Sequence, residues 1–417
     1  MTVQTAQIVM KASTPSAAMR LGAALLGAAC LADAGAAVLT VGPGKQYAQP
    51  CAAIVVARSG DTVEITGTPG SSYKGDTCRV ASSYLTIRGV GSRPHIEANG
   101  RNTDGKGVWV VTGNNVTVEN VEISGAKVPD HNGAALRIEG NNFTLTGSYL
   151  HDNENGILSG ASPTSRIVLE KNEFARNGDG TGQTHNVYIG DVASLTFRYN
   201  YSHDANVGHN LKSRARINTV LYNRFSSTPG IKGGKPSYEI DLPGGGIAYV
   251  IGNVIHQPAE NENSTILAFG AEDGSKPDNA LYVINNTFLN DGRGGTFVMI
   301  GKQIKTQALL QNNLFAGAGT VTNQASVIQK SNYQSQDIGF VDRANFDLHP
   351  TANARVINAG SAPPVLANNV VLQPSSQYKH VASGEPRPVI GTLDLGAYQT
   401  VIVEPGKSDS WFKRLIK

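Results

Sequence analysis

Asn172-Glu173-Phe174 is the first clear copy of a pattern that recurs along the chain, an asparagine placed two residues before a bulky apolar residue. The other clear copies are Asn223-Arg224-Phe225, Asn253-Val254-Ile255, Asn286-Thr287-Phe288 and Asn313-Leu314-Phe315, with imperfect copies at Ser148-Tyr149-Leu150 and Asn200-Tyr201-Ser202. By subtraction of their first positions, successive copies lie 24, 28, 23, 30, 33 and 27 residues apart. A period of about 20–50 residues is typical of stacked architectures, in which each repeat buries its face against its neighbours. The repeat therefore predicts a solenoid.

Two families of short strands accompany the repeat. The first family comprises residues 85–87, 116–118, 143–145, 167–169 and 195–197, and the second comprises residues 136–138, 187–189, 211–213 and 240–242. Each segment alternates apolar and other residues, which indicates a strand with one buried face. Helical segments of ten or more residues are missing between these strands, which disfavours doubly wound folds and α/β barrels. The predicted fold class is all-β.

The Asn-x-Phe repeats and strand pairs resemble the right-handed parallel β-helix proteins of the pectate-lyase-like superfamily, over roughly residues 40–400. Residues 339–342, 356–360 and 394–398 are similar to the closing coils of many such proteins. The resemblance implies asparagines that hydrogen-bond from coil to coil, and an amide side chain in a turn is suited to that. It predicts an N-terminal cap over residues 37–83, a β-helix over 84–400 and a tail over 401–417. Because this fold hosts lyases, hydrolases, esterases and adhesins, it leaves the function open.

The N-terminus predicts export. Lys11 and Arg20 precede an apolar run over residues 21–31 and a small-residue stretch over 34–36, the order found in signal peptides. The run is too short to span a bilayer, so residues 1–36 predict a secreted or periplasmic protein without a stable membrane span. A lipoprotein attached through Cys30 is the second interpretation.

Charge and cysteine content narrow the function classes. The formal net charge is +3, and removing Lys11, Arg20 and Asp33 leaves +2, too little to predict nucleic-acid binding. Export leaves Cys51 and Cys78, an even number with one possible pairing in an oxidising compartment, so we expect a disulfide. It would tie down the cap and stabilise the fold by about 3–4 kcal/mol on the chain-entropy estimate.

Aligning the second strand family brings polar side chains into columns about 4.8 Å apart along the axis. With the apolar residues facing inward, alternation predicts one outward column of Asn186, Asn210 and Glu239. The next outward column contains Tyr188, Lys212 and Asp241, with Arg214 just beyond and with His185 and His209 at the starts of two of the strands. Titratable groups concentrated on neighbouring coils indicate a site.

This patch best suits β-elimination on a uronate-containing, acidic polysaccharide. It resembles the sites of chondroitinase B and alginate lyase type β-helix lyases, which combine a lysine, an arginine and calcium-binding acidic and amide residues. The resemblance implies that Lys212 is the base and that Arg214 or Tyr188 assists the leaving oxygen. His185 and His209 are further catalytic candidates, and Glu239 and Asp241 are candidate calcium ligands. The predicted substrate-binding residues are Asn186, Asn210, Arg137, His203 and Asp204.

Other interpretations of the same residues stay open. A glycoside hydrolase would use Asp152, Asp204, Glu239 and Asp241 as acid and base. A C5-epimerase shares the first proton removal with the lyase, and a non-catalytic carbohydrate-binding β-helix would use a sparse ladder of tyrosines. The histidines can equally be turn residues, and the charged residues can be surface ion pairs of little energetic value. We expect a monomer. The identities of the uronic acid and of the glycosidic linkage stay open.

Overall fold

A computed structural model describes residues 35–228 and 234–401. The predicted export signal, apart from its last two residues, lies outside the described residues, as does Cys30. So does the predicted tail beyond Val401.

Three parallel sheets run along a right-handed β-helix, as the repeat and the resemblance predicted. Sheet A contains twelve strands: Val38–Val41, Thr62–Gly67, Thr86–Gly91, Val116–Glu119, Phe143–Thr146, Ser162–Glu170, Val192–Arg198, Ile217–Leu221, Ile247–Ile251, Ala280–Ile284, Leu309–Gln311 and Ile328–Lys330. Sheet B contains eleven: Ser72–Lys74, His95–Glu97, Glu122–Ser124, Tyr149–His151, Glu173–Ala175, Tyr201–His203, Arg224–Ser226, Val254–Gln257, Thr287–Asn290, Leu314–Gly317 and Tyr333–Ser335. Sheet C contains ten: Cys78–Val80, Gly107–Val111, Ala134–Ile138, Asn155–Ser159, Val187–Ile189, Leu211–Ser213, Ile240–Leu242, Thr265–Phe269, Thr296–Ile300 and Thr320–Thr322. Each complete coil supplies one strand to each sheet in the order A, B, C; the first coil supplies only a sheet A strand, and the last has no sheet C strand.

The repeated asparagines form a buried ladder in the turn between sheets A and B. Its rungs run from Asn172 through Asn200, Asn223, Asn253, Asn286 and Asn313 to Asn332, and each Nδ2 donates to the Oδ1 of the next rung at 2.9–3.2 Å. Each Nδ2 also donates to a carbonyl of an earlier sheet A strand at 2.8–2.9 Å. The left-handed turn conformation falls on the preceding residue, such as Lys171 or Tyr199, and not on the rung itself. The rung asparagine therefore serves the turn through its amide.

The apolar residue of each repeat fills the interior of the coil. Phe174 and Phe225 are fully buried, and each stacks on Phe197 of sheet A with ring centroids 5.9 and 5.8 Å apart. The same stacking joins Phe288 and Phe315 at 5.2 Å. Burial of such side chains contributes roughly 1.5–3 kcal/mol each, so the column of phenylalanines is a main source of stability.

The N-terminal end of the stack is closed by a short helix, Pro50–Ile54, four of whose five residues are buried. The sulfur atoms of Cys51 in this helix and Cys78 in sheet C are 2.08 Å apart, so the predicted disulfide is confirmed. The Asp76 carboxylate accepts a hydrogen bond from the Cys51 N–H at 2.9 Å and fixes the start of the helix. The first coil already pairs Val38–Val41 with Thr62–Gly67, so the stack begins inside the predicted cap region.

The parallel stack ends near residue 335, and the predicted β-helix boundary at residue 400 is too late. Residues 336–401 form three antiparallel hairpins: Phe340–Asp342 with Asp347–Pro350, Leu366–Ala367 with Val370–Val371, and Ser376–Lys379 with Ser383–Pro386, with a 3-10 turn at Arg343–Asn345. The expected closing coils are therefore absent from this described segment. Its physical role is to cover apolar outer faces of sheets A and B, such as those of Tyr249 and Leu314. Among the described residues, no helix has the length and apolar character needed to cross a membrane.

Candidate active site

Tyr188, Lys212 and Asp241 form one column on the outer face of sheet C. Tyr188 is in register with Lys212, and Lys212 is in register with Asp241, so the three side chains lie on successive coils. Their strand neighbours are buried, and all but Ser213 are apolar, so alternation turns these side chains outward. Arg214 follows Lys212 and donates from Nε to the Tyr188 Oη at 2.9 Å. These four residues form the sheet C patch; their predicted proximity is present and their roles stay predictions.

A carboxylate is bound between the two cations of this patch. The Lys212 Nζ lies 3.2 Å from the Glu272 Oε1, and the Arg214 guanidinium donates to the Oε2 of the same side chain. The Lys212 Nζ also lies 5.6 Å from the centre of the Tyr188 ring. Burial acts to raise the pKa of Glu272, but Arg214 and Lys212 together hold it below its ordinary value. Lys212 and Arg214 thus form a binding site for a planar carboxylate, called here the Lys212–Arg214 receptor.

Two histidines support the patch from its buried side. The His209 Nε2 lies 3.3 Å from the Asp241 Oδ2, and the His185 ring meets Tyr188 edge-on with centroids 5.4 Å apart. The His185 Nδ1 accepts from the His209 backbone N–H at 3.0 Å, which places the proton of the neutral ring on Nε2. Burial, followed by the charges of His209 and Lys212, holds the pKa of His185 well below its ordinary value. His185 and His209 are 3% and 6% exposed, so their contacts suit positioning of Tyr188 and Asp241.

The predicted outward column of Asn186, Asn210 and Glu239 is wrong, because all three side chains are wholly buried. They continue a second ladder that begins at Asn153 and Asn177. Each Nδ2 donates to an oxygen of the next side chain at 2.5–2.9 Å, and the last bond joins Asn210 to Glu239. These residues precede the strands, so strand alternation does not decide where their side chains point. Their amides satisfy buried backbone groups of the turn; the Asn186 Oδ1, for example, accepts from the Asn177 N–H. Buried amides of this kind cannot contact a sugar bound at the surface of sheet C.

The predicted calcium ligands do not fit a calcium ion. Calcium takes six to eight oxygen ligands in a flexible coordination geometry, so its protein ligands need free oxygen atoms. Glu239 is wholly buried and its Oε2 accepts from Asn210, while burial raises the pKa of Glu239 to about 8 and favours the uncharged acid. Asp241 is 3% exposed and its Oδ2 lies 3.3 Å from the His209 Nε2 and 3.5 Å from the Lys212 Nζ. Asp241 therefore already has partners within the protein, the His209 ring and the Lys212 ammonium group.

The other predicted substrate-binding residues lie apart from the patch. Arg137 belongs to the same outer column as Tyr188, two coils away through Leu158, or about 10 Å along the axis. His203 and Asp204 lie at the end of a sheet B strand, where the His203 Nδ1 and the Asp204 Oδ2 are 2.6 Å apart. The prediction that these two residues join the patch is wrong, because the second ladder and its turn separate sheets B and C.

Comparisons with known proteins agree with this architecture. A model of right handed beta helix regions matches residues 87–255. The crystal structure of pectate lyase Pel9A superposes with a TM-score of 0.57 and 13% identity, covering 88% of this chain and 96% of that one. A rhamnogalacturonan lyase gives a TM-score of 0.52 and 14% identity, covering 73% and 90%. The chain shares the right-handed parallel β-helix fold of these structures. No curated protein matches it significantly in sequence.

Sequence reasoning missed one charged residue of this β-helix site, Glu272. It follows the sheet C strand Thr265–Phe269 and lies in the loop that leads to the sheet A strand Ala280–Ile284. Its ion-pair partners, Lys212 and Arg214, lie 60 and 58 positions before it in the chain. A loop carries no strand alternation, so only the three-dimensional arrangement identifies its charged side chains. The Gly-rich and acidic composition of residues 270–278 is the one signal that the sequence offers.

The buried carboxyl of Glu239 makes the stability of this β-helix depend on pH. The folded chain keeps the proton until about pH 8, whereas an unfolded chain loses it near its ordinary pKa of 4.5. The unfolded state therefore binds fewer protons between these values, and Glu239 lowers the free energy of unfolding as pH rises from about 5 to 8. We expect Glu239→Gln to remove a slope of up to about 1.4 kcal/mol per pH unit.

Denaturant unfolding at several values between pH 5 and pH 8 measures that slope. The matched control is Glu260→Gln, which changes an exposed carboxylate in a surface ion pair and leaves the slope of the natural chain intact. Parallel curves for the natural chain and Glu239→Gln over the whole range would show that Glu239 is already ionised when folded.

Proposed function

We propose that the protein is a polysaccharide lyase that cleaves a uronate-containing chain by β-elimination at the sheet C patch. The observation that carries the proposal is the Glu272 carboxylate, held by Lys212 and Arg214 beside the phenol of Tyr188. The C5 proton of a uronate is removable only when the adjacent carboxylate is neutralised. The reaction thus needs a group that neutralises the carboxylate and a base that takes the proton. Lys212 and Arg214 supply the first, and the neighbouring phenol oxygen of Tyr188 supplies the second.

The proposed reaction uses one tyrosine for both proton transfers. The uronate carboxylate takes the place of the Glu272 side chain on Lys212 and Arg214. Tyr188, reacting as the phenolate, takes the C5 proton; the C5–H electron pair forms the C4=C5 double bond and the C4–O bond breaks. The leaving oxygen then takes the proton from Tyr188, which restores the phenolate. Negative charge that develops on the substrate carboxylate is stabilised by Lys212 and Arg214 throughout.

Lys212 has a different role here from the one first predicted for it. Its Nζ lies 3.2 Å from Glu272 and 3.5 Å from Asp241, an environment suited to a cation. We therefore assign Lys212 to the substrate carboxylate and the proton transfers to Tyr188. Asp241 holds the Lys212 side chain from the buried side, and His209 contacts Asp241 in turn.

The hydrolase alternative lacks support in this patch. Glycoside hydrolysis uses two carboxyl groups that flank the scissile bond and reach the substrate. Glu239 and Asp241 are buried, and Asp152 and Asp204 lie at the ends of sheet B strands. Among the described residues, Glu272 is the one exposed carboxylate in contact with Lys212 and Arg214.

The deciding experiment incubates the purified chain with alginate, pectate, glycosaminoglycans and bacterial exopolysaccharides, with calcium in one series and a chelator in the other. We expect rising absorbance of unsaturated uronate on one of them, in both series. New reducing ends without that absorbance would replace the lyase by a hydrolase, and a changed uronate composition without cleavage would indicate the epimerase. Binding without any chemical change would indicate a carbohydrate-binding protein.

The Glu272 carboxylate competes with the substrate carboxylate in this proposal. We expect Glu272→Gln to lower KM about 2- to 5-fold without lowering kcat, the range that follows from an exposed ion pair of up to about 1 kcal/mol. The matched control is Asp278→Asn, which alters an exposed carboxylate in the same loop as Glu272. Asp278 pairs with Arg216. Steady-state rates over a range of substrate concentrations separate KM from kcat. An unchanged or higher KM for Glu272→Gln would contradict the competition.

We also propose that the protein acts outside the cytoplasm, on the basis of the signal-like residues 1–36 and the Cys51–Cys78 disulfide. Acidic polysaccharides of this class are extracellular or periplasmic materials, which agrees with that location. Mass spectrometry of the chain recovered from the periplasm or medium tests the proposal, and an intact N-terminus on purely cytoplasmic protein would contradict it.

A further inference from the structure

A Tyr-x-His-Asp sequence occurs twice on the outer face of sheet B, away from the proposed catalytic patch. The copies are Tyr149-Leu150-His151-Asp152 and Tyr201-Ser202-His203-Asp204, on strands two coils apart. In both copies the histidine Nδ1 lies 2.6 Å from its own aspartate. In both, the histidine Nε2 faces a glutamate of the preceding coil.

The first copy has a third imidazole that the second copy lacks. Its glutamate is Glu122, whose Oε1 lies 3.1 Å from the His151 Nε2 and 3.7 Å from the Nδ1 of His95, one further coil back. In the second copy, Glu173 lies 3.2 Å from the His203 Nε2, but the residue in register with Glu173 on the coil before is Tyr149. The two copies therefore differ by a histidine in place of a tyrosine.

The geometry of the first copy matches a metal site. Ligand atoms of His95, Glu122 and His151 all lie within 4.8 Å of one another. Four ligands about 2.0–2.1 Å from a tetrahedral zinc ion are separated by about 3.3–3.4 Å. The two distances to the Glu122 Oε1, 3.1 and 3.7 Å, bracket that separation. Little movement is needed to place an ion among these three side chains.

The second nitrogen of each imidazole is already held, as in protein metal sites. The His95 Nε2 lies 2.7 Å from the Ser124 Oγ, which leaves Nδ1 to face Glu122. The His151 Nδ1 lies 2.6 Å from the Asp152 Oδ2, and Arg176 in turn donates to Asp152 at 2.7 Å. A carboxylate that orients a histidine in this way fixes the tautomer in which Nε2 is free to bind a metal.

We propose that His95, Glu122 and His151 bind a divalent transition-metal ion of the zinc class. Two imidazoles and one carboxylate favour zinc and its neighbours over calcium or magnesium. The side chains of His95 and Glu122 are each 26% exposed, so solvent completes the coordination on the open side. The ion joins three successive coils of sheet B, and its binding stabilises their stacking. This inference does not rest on the proposed lyase activity.

Cobalt titration of the untagged, chelator-treated full chain tests the proposal. We expect one Co²⁺ per chain, with visible absorption of a four- or five-coordinate ion that Zn²⁺ abolishes by displacement. His95→Tyr gives the first copy the arrangement of the second, and we expect its Kd for Co²⁺ to rise by more than 100-fold, beyond the cost of losing an outer-shell partner. Zn²⁺ should raise the Tm of the natural chain and not that of His95→Tyr.

His203→Gln is the matched control, since it alters the copy that lacks a third imidazole; its Co²⁺ spectrum and Kd should equal those of the natural chain. Glu122→Gln provides a second ligand variant if His95→Tyr does not fold, and it should also lose the spectrum. Absence of Co²⁺ binding, or binding that survives both ligand variants in folded protein, overturns the proposal.

Discussion

Tyr188→Phe is expected to lower kcat for polysaccharide cleavage by about 10²- to 10⁴-fold, the usual contribution of a general acid–base group. The substitution removes only the oxygen that accepts from the Arg214 Nε and leaves the ring that packs beside His185 and Lys212. Because this oxygen lies on the outer face, we expect the free energy of unfolding to change by less than about 1 kcal/mol. Initial rates from unsaturated-uronate absorbance and a denaturant titration measure the two effects.

Tyr282→Phe is the matched control for that variant. Tyr282 also lies on an outer sheet face, where it stacks on Tyr249 of sheet A with ring centroids 5.4 Å apart. We expect the control to keep full activity. If Tyr188→Phe keeps the rate of the natural chain on a substrate that the natural chain cleaves, then Tyr188 does not transfer the proton. Lys212 would then return as the candidate base.

Asn223→Ala is expected to destabilise the fold by about 3–6 kcal/mol, because it leaves several buried polar groups without partners. The Asn223 Oδ1 accepts from the backbone N–H and the side chain of Asn200, and its Nδ2 donates to the Phe197 carbonyl and the Asn253 side chain. All three neighbouring residues are fully buried, so water cannot replace these bonds without opening the turn. The loss is comparable to the whole stability of many domains.

Thermal and denaturant unfolding of Asn223→Ala measure this cost. The matched control, Asn102→Ala, removes an asparagine whose Oδ1 accepts a single exposed hydrogen bond from the Gly105 N–H at 3.0 Å. We expect the control to lose less than about 1 kcal/mol. Equal losses in the two variants would mean that the ladder contributes no more than an ordinary turn hydrogen bond.

The fold was predictable because each coil repeats its own local signal. Asn172 and Phe174 show one asparagine for the turn and one apolar residue for the interior, and the strand families predicted sheets A and C directly. The sequence did not show that the left-handed residue is the one before the rung. That detail depends on how the amide meets the next coil, which becomes visible only when the coils are stacked.

The candidate site was predictable only where strand alternation held. Tyr188, Lys212 and Asp241 lie within strands, and their register followed from the alignment of coils. Asn186 and Glu239 precede the strands, where alternation no longer decides which way a side chain points, and they are buried. The C-terminal hairpins were likewise missed, because short apolar segments look the same in a closing coil and in a cover over a sheet.

The constancy of the asparagine ladder also bears on how such a chain can diversify. Rung-to-rung hydrogen bonds stay within 2.9–3.2 Å although the rungs are between 23 and 33 residues apart in the preserved repeats. Most of the extra residues are therefore accommodated in connecting loops, outside the stack. The longest spacing, from Asn253 to Asn286, contains the loop that carries Glu272. Insertions and deletions in that loop can retune what the Lys212–Arg214 receptor accepts while the scaffold beneath it stays unchanged.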